Sequence, residues 1–500
     1  MNTKQLRRKI LDLAIRGKLV PQDPADEPAS ILLERVRAEK ESLVKEGKIK
    51  RSRKDNAIIR GDDKLRYEQL PQGWAMAQLG SVVNEIATGP FGTMLHKSDY
   101  VFDGIPMVNP QHIIDGQIVP SEKITVNQDT ATRLNSYRLN TNDIIIGRRG
   151  EMGRCAVVTD SQRGWLCGTG CFVLRSNSNI NSNYLAMMIR SEQIVVFLSA
   201  NSIGATMNNL NHSILNQVVF SLPPLAEQHR IVAAIESAFT VIDEIERNKT
   251  DLQNAVAAAK QKILSLAIRG KLVPQDPTDE PASVLLERIR AERETLIKAG
   301  KIKRDKKDFI VFRNDDKSHY EQLPSGWAWS QLIELYNFID YRGVTPQKIK
   351  SGIPLVTAKN VKGGFIDYSI DEYISYESFE ERKGRGVSQK GDILFTTEAP
   401  LGNVAIADLD EYSAGQRLIT FQNYSKNAQL NNRLFMFFLL SDFFKDQLKE
   451  KQTGTTVFGI KAEKLKQLIL PIPPLAEQRR IVAAIEAAFE QLNIIIENLV

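Results

Sequence analysis

Cysteine is nearly absent from this 500-residue chain: Cys155, Cys167 and Cys171 are the whole set. An odd number without CxxC spacing makes no disulfide framework and fits the reduced thiols of an intracellular protein. Cys167 and Cys171 also lack the second ligand pair that a structural zinc site needs. Long apolar runs are missing too. The longest, at 434–440, falls far short of the ~20 residues that span a bilayer. No GxxxxGK[ST] phosphate loop occurs, since Gly17-Lys18, Gly47-Lys48 and Gly300-Lys301 lack its upstream glycine. No GxGxxG follows a strand-like run, so a dinucleotide fold is not signalled. Asn109-Pro110-Gln111 comes nearest to the NPPY-like tetrapeptide that holds a flipped base, and lacks the second proline and the aromatic. Asp392 and Glu398 could begin a carboxylate nuclease cluster, but no lysine stands two residues after Glu398.

The charge that is present is uneven. The net value is only +6, yet residues 45–66 carry nine Lys/Arg against four Asp/Glu, and residues 298–317 carry eight against four. Two local basic stretches suit contact with a polyanion, or two solvated linkers. Hydrophobic content of 42% and charged content of 25% are those of a globular protein, and the length exceeds one compact core.

The architecture follows from an internal duplication. Residues 9–79 align without a gap to residues 262–332, with 51 identities in 71 positions. A second block, 221–239, matches 471–489 at 15 of 19 positions and carries PPLAEQ-x-RIVAAIE both times. Between these blocks lie residues 80–220 and 333–470, alike in length and very different in sequence. A nearly constant scaffold therefore carries two divergent inserts.

The second block opens a long helix. After Pro223-Pro224, apolar residues recur at three-and-four spacing: Val232, Ile235, Phe239, Ile242, Ile245, then Leu252, Val256, Ala259, Ile263 and Leu266. The pattern predicts a coiled-coil rod of about 40 residues, roughly 60 Å. In the repeat, Val500 corresponds to Thr250 and Met1 to Asn254, so the two ends of the chain are expected to rebuild a second rod and close a ring. A shorter helix follows each rod, opened by Asp26-Glu27-Pro28 or Asp279-Glu280-Pro281 and striped by Leu32, Leu33, Val36, Leu43 and Val44 in the first copy. The apolar rod surface and these short helices, at Leu33 and Val36 and their counterparts Leu286 and Ile289, are the candidate docking faces.

Both inserts keep a faint β-rich framework punctuated by glycine. Gly104-Ile105-Pro106-Met107-Val108 answers Gly352-Ile353-Pro354-Leu355-Val356, and Asp143-Ile144-Ile145 answers Asp392-Ile393-Leu394. The polar residues between are exchanged. Asn109-Pro110-Gln111-His112 stands against Thr357-Ala358-Lys359-Asn360, and Gly147-Arg148-Arg149-Gly150-Glu151 against Thr396-Thr397-Glu398-Ala399-Pro400. An enzyme duplicated for one chemistry keeps its polar residues; this chain keeps its apolar frame and swaps them. Arg, Lys, Asn and Gln on loops are the types that read base edges. The candidate DNA contacts are therefore Lys97, Gln111, His112, Arg148, Arg149, Thr206 and Asn208 in the first insert. In the second they are Arg342, Lys359, Asn360, Thr396, Thr397, Thr455, Thr456 and Lys461. A salt bridge to Glu151 is the competing role for Arg148.

Two unequal inserts, the doubled PPLAEQ-x-RIVAAIE, the LPxGW starts at 70–74 and 323–327, and GKLVPQDP-x-DEPAS together resemble the specificity subunit of type I restriction–modification systems. The resemblance covers essentially the whole chain. It implies an α+β fold: two small mixed α/β target-recognition domains separated by long antiparallel coiled-coil helices in a pseudo-twofold, circular arrangement. The implied boundaries are 1–69 helical, 70–222 first recognition domain, 223–322 central coiled coil, 323–472 second recognition domain, and 473–500 a helix pairing with the N-terminus. It also implies a cytoplasmic protein with no catalytic site, metal or cofactor of its own, which binds double-stranded DNA at a split asymmetric target. Two modification (methyltransferase) subunits would bring S-adenosylmethionine, and restriction subunits would bring ATP and Mg. Two other classes remain open: a self-contained restriction or methylation enzyme with a fused specificity module, and a scaffold with no DNA role.

Overall fold

Helix formation in the scaffold follows from its caps. In a computed structural model, which describes residues 2–49, 70–91, 94–202, 209–304, 323–342, 345–424, 430–454 and 458–498, helix α1 (Thr3–Ile15) starts where the Asn2 side chain accepts from the Gln5 amide at 3.1 Å. It ends at Gly17 in the left-handed region, φ +63°. There a Cβ would lie 2.5 Å from Pro71 and 3.1 Å from Trp74, so glycine alone fits both the turn and the packing. Gly270 repeats the arrangement against Pro324 and Trp327. Helix α2 (Ala29–Lys45) leaves from Pro28. The basic stretches after it and after its counterpart lie largely outside the described residues.

The chain divides into two units, residues 1–248 and 249–500, with the boundary inside one long helix. In the first unit, strands β1 (Ala75–Gln78) and β6 (Val219–Leu222) pair antiparallel, Ala75 against Leu222, so the insert enters and leaves side by side. Inside it, β2 (Val83–Thr88), β3 (Ile144–Gly147), β4 (Cys155–Val157) and β5 (Cys171–Ser176) form an antiparallel sheet in the order β2–β5–β3–β4. Helix α3 (Leu225–Ile268) then runs unbroken for 44 residues, about 66 Å.

The second unit repeats the plan. After α4 (Ala282–Lys298), strands β7 (Ala328–Gln331) and β12 (Ile469–Ile472) close the insert. Its sheet is β8–β11–β9–β10, from Tyr336–Asp340 (β8), Ile393–Thr396 (β9), Val404–Ile406 (β10) and Leu418–Asn423 (β11). Helix α5 (Leu475–Glu497) ends it. The fold is α+β, with two sheet-bearing domains that share one strand order despite their divergent sequences.

Period-two alternation explains why these strands are apolar throughout. Ile144 and Ile146 join a core with Ile15, Leu32, Val36, Phe172, Ile231 and Ile235, whereas Ile145 faces a second cluster with Val108 and Ile113. In the other unit Ile393 and Phe395 pack with Ile268, Leu285, Phe421 and Ile481, and Leu394 faces Val356 and Ala358. Scaffold and insert thus share one core in each unit.

That shared core corrects the docking expectation. Val36, Leu286 and Ile289 are buried within it and Leu33 packs partly against it. Their stripe holds α2 and α4 to their own units, because a single apolar face on a short helix is used first for folding. The apolar side chains those helices present to solvent are Ile31 and Val284. The rod seam is also interrupted: Ile242 and Val256 are buried, but Ile245 and Leu252 are exposed. Cover is short there. In the first unit Arg7 of α1 lies over the Phe239 ring at 4.8 Å and pairs with Asp243. In the second, Lys260 lies over Phe489 at 5.4 Å and donates to Asn493 at 2.6 Å, the same contact in repeat numbering.

Candidate nucleic-acid interface

The doubled sequence motifs build a lock between scaffold and insert. Trp74 Nε1 donates to Glu227 Oε2 at 2.9 Å, and Gln22 Nε2 donates to Glu227 Oε1 at 3.1 Å and to the Gly17 carbonyl at 2.7 Å. Arg230 pairs with Asp26 at 2.6 Å. Gln228 donates to the Pro223 carbonyl and accepts from the Asn181 amide, both at 3.0 Å. Every bond recurs in the second unit through Trp327, Gln275, Glu477, Arg480, Asp279, Gln478 and Asn431. Burial pushes both glutamate carboxyls up, and the tryptophan and glutamine donors oppose it. The PPLAEQ motif therefore fastens the insert to the scaffold through Glu227 and Gln228.

Against this fixed frame, several exchanged polar residues have structural work. His112 is 5% exposed; its Nδ1 lies 3.2 Å from the Asn109 amide and 3.1 Å from the Met107 carbonyl. Burial lowers its pKa. Asn360 does the same task in the other unit, accepting from the Thr357 amide at 2.9 Å and donating to the Asp367 and Ile370 carbonyls. Both close the turn after an equivalent strand. Thr396 and Thr397 are buried: Thr396 Oγ1 accepts from the Asn403 amide at 2.8 Å, and Thr397 Oγ1 donates to the Arg417 carbonyl at 3.1 Å. The Arg342 guanidinium donates three bonds to Asp340, at 3.0, 2.9 and 2.6 Å. His112, Asn360, Thr396 and Thr397 are therefore not free to contact bases, because a buried polar group must first satisfy its own hydrogen bonds, whereas Arg342, with 35% of its side chain exposed, remains a candidate.

The remainder gathers at one end of each sheet. In the first unit Gln111 is exposed on the turn whose Pro110 packs against Gly147 and Gly170. Beside it, Arg148 lies over the Phe172 ring at 5.1 Å, and Arg149 is exposed and bridged by backbone to Asn209. Glu151 pairs with Arg154 at 3.1 Å, not with Arg148. In the second unit Lys359 is exposed at the position of Gln111 and stands 3.9 Å from Glu372. Lys461 is exposed, next to Ile460, whose amide bonds the Thr397 carbonyl at 3.0 Å. Lys97 is exposed in a 3-10 turn, Lys97–Asp99, that leads into another strand, Tyr100–Val101, outside this cluster. Thr206, Asn208, Thr455 and Thr456 lie outside the described residues. Arg417 belongs to the cluster and was not singled out in the sequence. The signal was its place opposite Gly170 in the shared strand frame.

The carboxylates Asp392 and Glu398 do not act as a pair. Asp392 accepts from the Gln389 amide at 2.8 Å and from Gln422 at 2.9 Å, and Glu398 pairs with Arg417 at 3.0 Å. Among the described residues no group of three or more His, Cys, Asp or Glu could hold a metal ion. The three cysteines are buried and free, and burial pushes the Cys155 thiol up to about 12.

Two domains thus repeat one sheet frame and carry different exposed loops. The sequence profile of the type I restriction modification DNA specificity domain matches residues 71–253 and 324–499, and the chain belongs to that family, one of DNA recognition rather than catalysis. It is 28% identical to the specificity subunit of the type I restriction enzyme EcoAI of Escherichia coli, over 98% of this chain and 89% of that one. The EcoEI specificity subunit of Escherichia coli is also 28% identical, over 97% and 89%. A solved structure described as "Structural basis underlying complex assembly and conformational transition of the type I R-M system" shares the fold. Its TM-score is 0.57 at 20% identity, covering 86% of this chain and 94% of that one. No described helix is long and apolar enough to cross a membrane.

Proposed function

We propose that this specificity subunit binds a split, asymmetric DNA target, one half through the loops near Arg149 and the other through the loops near Arg417. The observation that carries this reading is the repeated sheet frame with exchanged exposed chemistry at the same end. Two unlike surfaces on one chain suit two unlike half-sites, where two identical ones would suit a palindrome. The scaffold is repeated as well, so two equivalent surfaces are available to two modification subunits, and through them to restriction subunits. S-adenosylmethionine, ATP and Mg then belong to those partners, and the complex works in the cytoplasm.

Purified alone, the chain is expected to bind duplex DNA without methylating or cleaving it. Mixed with its modification subunit, it should give a native mass of two partners per chain. Cleavage or methyl transfer by the chain alone would favour a self-contained enzyme. A saturated complex with one partner would contradict the two-surface reading.

A further inference from the structure

The loops after β3 and β9 are fastened by the same backbone bonds. Leu210 N donates to the Arg148 carbonyl at 2.9 Å, and Ile460 N to the Thr397 carbonyl at 3.0 Å. Arg148 N donates to the Gly170 carbonyl at 2.8 Å, and Thr397 N to the Arg417 carbonyl at 2.9 Å. The next residues, Arg149 and Glu398, form matching bridges to Asn209 and Gly459. Position by position, Arg148 corresponds to Thr397 and Gly170 to Arg417. The guanidinium has therefore changed strands: it sits on the first strand of the pair in one unit and on the opposite strand in the other.

The means of holding it has changed as well. Arg148 rests on Phe172, whose equivalent in β11 is Ile419, which offers no ring. In its place Glu398 binds Arg417, with both side chains about half exposed, 45% and 52%. A half-exposed pair of this kind adds little to stability, so folding does not account for its placement. A carboxylate at a surface that meets DNA repels phosphate. It is tolerated beside base-edge donors such as cytosine N4, and it fixes an arginine fork in the plane that suits guanine O6 and N7.

We infer that Arg417 is a base-reading residue of the second domain, directed at guanine, and that Glu398 is its positioning residue and excludes phosphate from the site. This deepens the split-target reading and rests on it. The first domain, with Arg149 making no ion pair among the described residues, is the more phosphate-seeking of the two.

The test is selection from a pool of random-sequence duplexes by the full chain assembled with its modification subunits. Wild type, Arg417→Ala, Arg417→Lys and Glu398→Gln are compared, with thermal unfolding measured for each. Wild type should select a two-part motif. Arg417→Ala should lose about ten- to a hundredfold of its preference at a G·C position in one half and keep the other half intact. Arg417→Lys, which keeps the charge and loses the fork, should relax the same position while total binding stays within a few-fold. It decides the matter if the alanine variant does not fold. Glu398→Gln should unfold as wild type does, bind random duplex more tightly and discriminate less at that position. Folded variants that select the wild-type motif, or that weaken both halves evenly, would overturn the inference while leaving the split target standing. A wild-type complex that selects no motif would defeat the split-target reading itself.

Discussion

Asp392 and Asp143 hold the same turn with different neighbours. Each accepts from the amide three residues before it, at 2.8 and 2.7 Å. Asp143 also pairs with Arg175, whereas Asp392 has the neutral Gln422 at the matching place in β11. Without a cation, burial pushes the Asp392 carboxyl up to about 6 from an ordinary 3.8. The folded state thus favours the protonated acid. Its stabilisation is complete below about pH 4 and is lost as pH rises through 6, a change of about 3 kcal/mol. Asp392→Asn, or Gln422→Arg in imitation of Arg175, should flatten that decline in urea unfolding between pH 4 and 7. A slope equal to that of wild type would contradict the assignment. At this scale the sequence was only half legible. His112 and Asn360 are turn caps and Gln111 and Lys359 face solvent, yet caps and base readers draw on the same side-chain types. Only the spacing, three residues beyond Asn109 and Thr357, distinguishes them.

Elements were more legible, because duplication marks what both copies need. The long helix after PPLAEQ and the short helix after DEP stand where their patterns put them. Which way the short helix faces was not legible, since an apolar stripe is the same whether it meets its own core or a partner. Leu286→Ala should therefore destabilise the second unit by about 2–5 kcal/mol, as expected for a buried leucine. Val284→Asp and Ile31→Asp should leave unfolding nearly unchanged and weaken assembly with modification subunits, measured by native mass or pull-down. Unweakened assembly by a doubly substituted, folded chain would move the docking surface elsewhere. The tryptophan locks give a paired test. Trp74→Phe leaves Glu227 Oε2 without its donor and should cost about 1–3 kcal/mol. Trp327→Phe should do the same to the second unit. If both substitutions shifted one common transition equally, the units would not be independent in stability.

Over the whole molecule, the chain separates what must be constant from what must vary. Glycines at 17 and 270, the buried glutamates and the rod starts fix each domain's attachment, and the sheets repeat one strand order. Variation falls on the inserts, and at the strand ends it exchanges Arg148 and Arg149 in one unit for Thr397 and Glu398 in the other. Family and fold were legible from this pattern, since it needs only repeats and spacing; Arg417 was not, because its counterpart in the frame, Gly170, has no side chain to compare. The most direct measurement of the central claim is base-resolution mapping of DNA methylation in cells carrying this chain with its modification subunits, repeated after residues 323–472 are replaced by the corresponding insert of a relative. The account predicts methylated adenines within a target of two unlike halves, with only one half changed by the replacement. Methylation at one contiguous palindrome, or a replacement that alters both halves together, would contradict it.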